Sequence, residues 1–335
     1  MDYDLNGKDV LVTGATGFIG SRVAIELVKK GARVRALARN PAKSSGLGIA
    51  GISVVIGDMT DPGSLERAVQ GCRAVFHFAG TTNEFKPKAH FERVNIDGTR
   101  LLAEAALRER VERFIHMSTV WVYGLRSGPG ICETSECKES GLAYSDTKLE
   151  AERVVRRLID ERDLPAIILQ PSEVYGPGDP NWTARPLDLI KTGRMVLADG
   201  GRGFVQPVFI DDLVQGVLAA AENGSLGETY ILCGPDVVTI REYFSCLARM
   251  LGKKRLPSLP GRLALGTAAL AEWAARIFRR PPVFTRQEVL STMATATYDG
   301  RKAEGELGFV PKTTLAEGMR KVEDWLNEPA RSRHP

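Results

Sequence analysis

Two residues one helical turn apart could move a proton. Tyr144 and Lys148 stand four positions apart in YSDTK, and the surrounding pattern predicts a helix with both side chains on one face. A tyrosine with a pKa of about 10 is a poor base at neutral pH. A lysine ammonium beside it stabilises the phenolate and lowers that pKa. The pair therefore predicts general acid–base chemistry at a hydroxyl or carbonyl oxygen, with Tyr144 as the proton carrier.

A glycine-rich turn opens the chain's first helical pattern. The stretch VLVTGATGFIGSRV, residues 10–23, follows an apolar run directly. Such a turn aims backbone N–H groups and a helix N-terminus at a phosphate, so it predicts a dinucleotide-binding site. Gly14 would allow the tight turn, Gly17 the approach of phosphate, and Gly20 the packing of the helix on the sheet. The predicted cofactor contacts here are Gly14, Thr16, Gly17, Phe18, Ile19 and Gly20.

The next strand pattern, ARVRALAR, ends in a basic residue. A carboxylate at this place would hydrogen bond to a free ribose 2′-hydroxyl, whereas an arginine accommodates a 2′-phosphate. No Asp or Glu lies between Gly31 and Gly57, while Arg39 closes the strand and Lys43 follows shortly after. The sequence therefore predicts NADP(H) over NAD(H), with Arg39 pairing with the phosphate and Lys43 assisting.

Strand and helix patterns alternate as far as residue 171. Apolar runs such as ISVVIGD, RAVFHFAG and AIILQP are separated by longer helical patterns, one of them from about Ala89 to Arg110. Parallel strands with right-handed crossovers would follow. We predict an α/β fold with a Rossmann-type, doubly wound parallel sheet over residues 1–171, with strand contributions from about 205–235. Residues 172–335 are predicted to form a smaller, mostly helical, mainly substrate-binding part.

Composition and charge argue against several classes of protein. The 335 residues are 26% charged and 43% hydrophobic, and a net charge of +4 without a basic block gives no sign of nucleic acid binding. Five cysteines without a CxxC pair and four scattered histidines predict no metal site and a reduced, cytoplasmic protein. His77 and His116, inside apolar strands, are predicted to be hydrogen-bonded core residues. The sequence contains no uncharged apolar stretch of about 18 residues, so no membrane span is predicted.

Together these motifs resemble the extended short-chain dehydrogenase/reductase family over nearly the whole chain. TGATGFIG matches the family's glycine turn, YSDTK its Tyr-Lys pair, and STVWVYG its hydroxyl-bearing segment. The resemblance implies that Thr119, three residues before the valine of VYG, hydrogen bonds to the substrate oxygen, and that Lys148 also holds the nicotinamide ribose. It implies a structural role for Asn95. It implies further cofactor contacts at Asp58, Met59, Phe78, Ala79, Gly80, Tyr144, Pro171 and Val174.

Departures from the family pattern bear on the substrate. Val120-Trp121 stand where the sugar 4,6-dehydratases carry an Asp-Glu pair, so that elimination reaction is not expected. Val205-Gln206 stand where many nucleotide-sugar enzymes have an arginine that clamps the diphosphate, although Arg185 and Arg202 could substitute for it. Substrate contacts are expected at Thr81, Asn83, Ser118, Tyr175 and Arg185.

The resemblance leaves three functions open. We favour an NADP(H)-dependent oxidoreductase that interconverts a secondary alcohol and a ketone on a rather apolar substrate, steroid- or flavonoid-like rings included. Residues 256–290 support this choice, because they resemble the 3β-hydroxysteroid dehydrogenase and dihydroflavonol reductase branch. The alternatives are a nucleotide-sugar 4-epimerase with tightly bound NAD and a redox-inactive nucleotide sensor. A homodimer through the helices that hold Asn95 and Tyr144 is also expected.

One apolar segment of the C-terminal part predicts an amphipathic helix. LALGTAALAEWAARIF, residues 263–278, is interrupted by Glu272 and Arg276. We expect this helix to cover the protein's own cleft or to pack on the core, rather than to lie on a membrane.

Overall fold

A computed structural model describes residues 3–82, 86–125, 127–278 and 284–329. Its strands are β1 (Asp9–Thr13), β2 (Arg33–Ala38), β3 (Ser53–Ile56), β4 (Ala74–His77), β5 (Arg113–Met117), β6 (Ser127–Ile131), β7 (Ala166–Pro171), β8 (Val174–Tyr175), β9 (Leu197–Ala198), β10 (Phe204–Val205), β11 (Val208–Phe209), β12 (Thr229–Leu232), β13 (Val238–Thr239), β14 (Ser258–Leu259) and β15 (Thr295–Tyr298).

The α-helices connect and cover these strands. They are α1 (Phe18–Lys29), α2 (Pro41–Ile49), α3 (Pro62–Val69), α4 (Lys88–Phe91), α5 (Gly98–Arg108), α6 (Ala143–Arg162), α7 (Arg185–Lys191), α8 (Ile210–Asn223), α9 (Ile240–Met250), α10 (Gly261–Phe278), α11 (Arg286–Ser291), α12 (Arg301–Leu307) and α13 (Leu315–Asn327). Short 3₁₀ turns occupy Val120–Tyr123 and Asp199–Gly201, and π turns occupy Glu92–Asp97 and Pro180–Ala184.

Seven strands form one parallel sheet in the order β3-β2-β1-β4-β5-β7-β12. The chain first builds outward from β1 through β2 to β3, and then continues on the other side from β4. This reversal is the switch point beside which doubly wound folds bind their ligands. The predicted Rossmann-type, doubly wound sheet is therefore confirmed.

Helices cover both faces of the sheet. Val10 and Val12 of β1 belong to one core with α1 and α8, whereas Leu11 belongs to the other with α3, α5 and α6. Strands covered on both faces have no polar side, so β4 and β7 are buried at every position. This is why their sequences are nearly continuous apolar runs.

The part beyond β7 contributes less to the sheet than the sequence suggests. Within 205–235, Thr229–Leu232 joins β7, but Val208–Phe209 pairs with β8 and Val205 pairs with Val238 of β13. The other short pairs are β9 with β14 and β6 with β15. Helices α9 to α13 make up most of the remainder, in agreement with the mostly helical character predicted there.

A π turn interrupts the long helix predicted from Ala89 to Arg110. Helix α4, the π turn Glu92–Asp97 and α5 follow one another without a break. A π turn inserts one extra residue into the helical repeat, and such turns are frequent at functional sites. This one carries Asn95.

Two buried histidines differ in their surroundings. The ring nitrogens of His77 lie 2.8 Å from the Thr13 hydroxyl and 2.8 Å from the Thr99 hydroxyl, as expected for a hydrogen-bonded core residue. Neither ring nitrogen of His116 has a hydrogen-bond partner among the described residues, so the prediction is wrong for His116. Burial, and then the charge of Lys148, lower the pKa of His77 to about 3 and that of His116 well below its usual value.

Candidate active site

Predicted site residues follow the carboxyl ends of five neighbouring strands. They are Gly14 after β1, Arg39 after β2, Asp58 after β3, Phe78 after β4 and Thr119 after β5. Because the strands are parallel, these ends share one edge of the sheet. The strand order places Arg39 and Asp58 on one side of Gly14, and Thr119 on the other. An extended dinucleotide could therefore lie along this edge with Gly14 near its middle.

The glycine turn leaves no room for side chains. Gly14 has a φ of +71°, and a Cβ there would lie 2.8 Å from both the Ala79 nitrogen and the Phe78 carbonyl carbon. A Cβ on Gly20 would collide with the Gly14 carbonyl oxygen. Gly17 is the N-cap residue of α1, so no side chain of its own stands over the helix N-terminus. This cradle fits the pyrophosphate of a dinucleotide, which needs close backbone approach and free N–H groups.

Hydrogen bonds to β1 and to the π turn fix the segment after β4. Thr13 hydrogen bonds through its hydroxyl to His77 and accepts a 3.2 Å hydrogen bond from the Ala79 nitrogen. Asn95 accepts a 2.8 Å hydrogen bond from the Thr81 nitrogen and donates one of 3.2 Å to the Thr147 hydroxyl. The π turn thereby links the Phe78–Thr81 segment to α6 beside Lys148, which gives Asn95 the structural role that the resemblance implied.

Thr119, Tyr144 and Lys148 lie on two elements, the end of β5 and helix α6, whose side chains interact there. Burial raises the pKa of Tyr144 to about 12, although a hydrogen bond from the Thr119 side chain acts in the opposite direction. The Lys148 ammonium donates a 2.5 Å hydrogen bond to the Met117 carbonyl oxygen. The lysine was expected to lower the pKa of Tyr144, but burial is the largest influence on that pKa in this structure and raises it.

Sequence reasoning missed Glu152, which lies one turn beyond Lys148 on the same helix face. Its carboxylate is 1% exposed and accepts a 2.6 Å hydrogen bond from the Ser118 hydroxyl. Gln170 and Arg156 donate further hydrogen bonds of 2.9 Å and 2.8 Å. Burial lowers the pKa of Lys148 to about 8, and the charge of Glu152 acts against that shift. The sequence signal for Glu152 was its position four residues after Lys148, which repeats the spacing between Tyr144 and Lys148.

Asp58 lies beside two arginines on the adenosine side of the site. Its carboxylate accepts two hydrogen bonds of 2.8 Å, from the nitrogen and from the hydroxyl of Thr60. Burial raises the pKa of Asp58, but these hydrogen bonds and the charges of Arg39 and Arg93 more than offset that effect and lower it. Arg39 is exposed. Arg93, on the π turn, is a second cation that the sequence did not single out.

The other predicted cofactor contacts differ in exposure. Thr16 and Gly80 are exposed, and the half-buried residues are Phe18, Ile19, Phe78, Ala79 and Val174. Met59 is buried against Gly98 of α5, and Pro171 is buried at the end of β7. The side chain of Lys43 and all of Asn83 lie outside the described residues.

Three expected substrate contacts have other partners. Tyr175 is fully buried, with its ring against Phe209 and Tyr243, so the structure does not bring it to the site. Arg185 forms an ion pair with Glu288. Ser118 is buried and bonded to Glu152, whereas Thr81 remains half-exposed near Asn95.

Two buried carboxyl groups follow β7. Glu173 is 6% exposed and accepts a 3.4 Å hydrogen bond from the Gln206 nitrogen. Asp179 accepts hydrogen bonds from the nitrogens of Asn181 and Trp182 at the start of the second π turn. Burial raises the pKa of each carboxyl group to about 7, against the effect of these hydrogen bonds. Both carboxyl groups therefore hold their protons to a higher pH than exposed carboxyl groups do.

A proton donor, a hydroxyl beside it and a dinucleotide cradle thus share one edge of a parallel sheet. The model of the NAD-dependent epimerase/dehydratase family matches residues 10–233, from β1 to just beyond β12. The chain belongs to this family. It is an NAD(P)-dependent oxidoreductase of the extended short-chain dehydrogenase/reductase type.

Individual relatives agree with this assignment. The chain is 28% identical to a 4-hydroxy-2-methyl-3-oxo-4-farnesyl-3,4-dihydroquinoline-1-oxide ketoreductase of Stigmatella aurantiaca, over 92% of this chain and 93% of the relative. It is 30% identical to sterol demethylase protein B of Methylococcus capsulatus, over 91% and 94%. The crystal structure of gox2253 superimposes with a TM-score of 0.79 at 31% identity, covering 98% of this chain and 100% of that one.

Replacing Glu152 with glutamine should make Lys148 lose its proton at a lower pH. The carboxylate favours the ammonium form, so its removal should lower the lysine pKa by about one unit. NMR titration of ¹³C-lysine-labelled protein would measure this shift, with the Lys148 signal assigned from Lys148→Met. Glu150→Gln, on the same helix but bonded to Arg153, is the matched control. An unchanged Lys148 titration in Glu152→Gln would contradict the coupling.

Proposed function

We propose that the protein is an NADP(H)-dependent ketone reductase or alcohol dehydrogenase acting on a rather apolar small molecule. The observation that carries this proposal is the placement of the Thr119 hydroxyl against the Tyr144 phenol, close enough to influence its pKa, with Lys148 one turn along the same helix. A hydroxyl pair of this kind can bind one substrate oxygen from two directions.

Each residue has a separate role in the proposed reaction. When bound, the nicotinamide cofactor supplies or accepts the hydride. Thr119 orients the substrate oxygen, and Tyr144 donates a proton to it during reduction. Burial raises the pKa of Tyr144 to about 12, so the phenol carries the proton that reduction of a ketone requires, and positive charge nearby would make that proton easier to transfer. The buried Lys148 ammonium adds positive charge beside the anion that forms on Tyr144 after that transfer.

Charge at the adenosine end supports NADP(H) as the cofactor. Arg39 and Arg93 both act on Asp58, so two cations stand near the end of β2 and β3. No carboxylate between Gly31 and Gly57 is available to bind a ribose 2′-hydroxyl. A 2′-phosphate would therefore find positive charge where NAD(H)-specific sites place an acid.

Several contacts favour an apolar substrate over a nucleotide sugar. Arg185, one candidate for a diphosphate clamp, is already paired with Glu288. Glu173, close to Gln206, would add negative charge near a diphosphate whenever it ionises. One relative is named for a farnesyl-bearing ketone and another for sterol demethylation. Farnesyl compounds and sterols are mainly apolar.

A nucleotide-sugar 4-epimerase is the second candidate, because the family description includes epimerases and the same three residues could serve that reaction. An epimerase returns the hydride to its substrate and keeps its cofactor, so purified protein would release NAD on denaturation. The proposed reductase should release little nucleotide and should consume added NADPH. A redox-inactive sensor would bind the cofactor tightly but show no hydride transfer with any ketone tested.

Replacing Tyr144 with phenylalanine should reduce turnover by about 100-fold or more, since general acid catalysis contributes about that much. The assay would follow NADPH oxidation with a panel of steroid, flavonoid and 3-oxoacyl ketones. Tyr3→Phe is the control, because Tyr3 bonds to Arg73 at the opposite edge of the sheet. Retention of more than a few per cent of turnover by Tyr144→Phe would refute the assignment.

Replacing Arg39 with alanine should weaken NADPH binding by about tenfold or more, because a charged hydrogen bond to the 2′-phosphate is lost. Binding of NADH, which lacks this phosphate, should stay nearly unchanged. Isothermal titration calorimetry would give both dissociation constants. Arg33→Ala is the matched control, since Arg33 lies at the other end of β2 and pairs with Asp9. An unaltered preference in Arg39→Ala would mean that another group selects the cofactor.

A further inference from the structure

Helix α10 exposes an apolar stripe to solvent. Its inner face packs on the protein through Ala264 and Ala268, which are 6% and 0% exposed and join a small core with Val289. Its outer surface and its C-terminal end carry five large hydrophobic side chains, each more than half exposed. These stripe residues are Leu263 (59%), Leu270 (66%), Trp273 (64%), Ile277 (53%) and Phe278 (71%).

The stripe is regular and long. Leu263, Leu270 and Ile277 recur at intervals of seven residues, so they stand above one another along the helix. At 1.5 Å per residue they span about 21 Å. Scattered hydrophobic residues are normal on protein surfaces, but a continuous apolar patch of this kind usually marks an interaction surface.

Positive charge is concentrated in the segment that leads into this helix. Residues 253–278 contain five Lys or Arg and one acidic residue, so this segment carries a formal charge of +4, equal to the net charge of the whole chain. Lys253, Lys254 and Arg262 are exposed. The acidic residue, Glu272, accepts hydrogen bonds of 2.8 Å and 2.9 Å from Arg286, so its charge is already compensated.

We propose that α10 docks the protein on the surface of an anionic lipid bilayer. Large apolar side chains including Trp and Phe, next to basic residues, are the combination that holds a helix in the interfacial plane of a membrane. No described helix is long and apolar enough to cross a membrane, so the attachment is peripheral.

Charge and geometry disfavour the other occupants of the stripe. A second copy seated on the stripe would bring the basic segment 253–262, with four Lys or Arg and no acidic residue, to the same interface from both copies, and like charges repel. The stripe also points away from its own protein, because the Ala264 and Ala268 face is the one packed inward. The helix was expected to cover the cleft or to pack on the core, and its inner face does pack on the small core with Val289. The proposed role of its outer face does not depend on the reaction at Tyr144.

Vesicle flotation with the full chain tests the proposal. The protein should bind vesicles of equimolar phosphatidylcholine and phosphatidylglycerol at least about tenfold more strongly than vesicles of phosphatidylcholine alone, and added salt should weaken binding. Leu270→Glu should reduce binding by about tenfold or more. Leu226→Glu is the matched control, since Leu226 is 53% exposed elsewhere on the surface. Tryptophan emission should shift to shorter wavelength on binding, and Trp273→Phe should remove that shift.

Equal binding of Leu270→Glu and the unaltered protein would overturn the proposal. Dissociation of an oligomer by Leu270→Glu, measured by analytical ultracentrifugation without lipid, would identify the stripe as an interface between copies. An increase in KM caused by Leu270→Glu without lipid would place the stripe over the substrate. Circular dichroism of both leucine variants would verify that they fold alike.

Discussion

A buried lysine ties the sheet to its longest described helix. Lys148 is 7% exposed, and burial alone would favour its neutral form. The Met117 carbonyl at the end of β5 accepts its hydrogen bond, and Glu152 supplies the opposite charge. Arg156 then bonds to both Glu152 and Thr229 of β12. The contacts that keep the ammonium in place therefore also join α6 to strands on both sides of β7, so the geometry of the candidate site and the packing of the strands depend on one network.

Local patterns were sufficient to predict much of the fold and to single out residues of the candidate site. The run AIILQP became β7 with the same bounds, because strands buried on both faces leave an unbroken apolar signal. The glycine turn was equally readable, since the chain conformation at Gly14 excludes a side chain whatever surrounds it. The placement of Tyr144 and Lys148 on one helix face follows from the helical repeat alone, so their spacing of four residues was enough to predict it.

Features that depend on distant contacts could not be predicted in the same way. Tyr175 looked available for substrate, but Phe209 and Tyr243 from later elements enclose its ring. Arg185 meets Glu288, far along the chain, and no periodicity connects the two. The π turn that positions Asn95 has an apolar pattern like that of an ordinary helix, so its extra residue leaves no trace in the sequence.

The buried ionisable groups act in opposite senses on the pH dependence of folding. Below pH 6.5 the unfolded chain binds protons on His77 and His116, whereas the folded chain does not, because burial lowers both pKa values. This difference favours unfolding as the pH falls. Glu173 and Asp179 act in the opposite sense, since each keeps a proton in the folded chain up to about pH 7. Between about pH 4.5 and 6.5 the unfolded chain binds two extra protons on its histidines and the folded chain keeps two on its carboxyl groups. The two contributions to the free energy of unfolding therefore nearly cancel. As far as these four groups are concerned, mild acid neither strengthens nor weakens the fold.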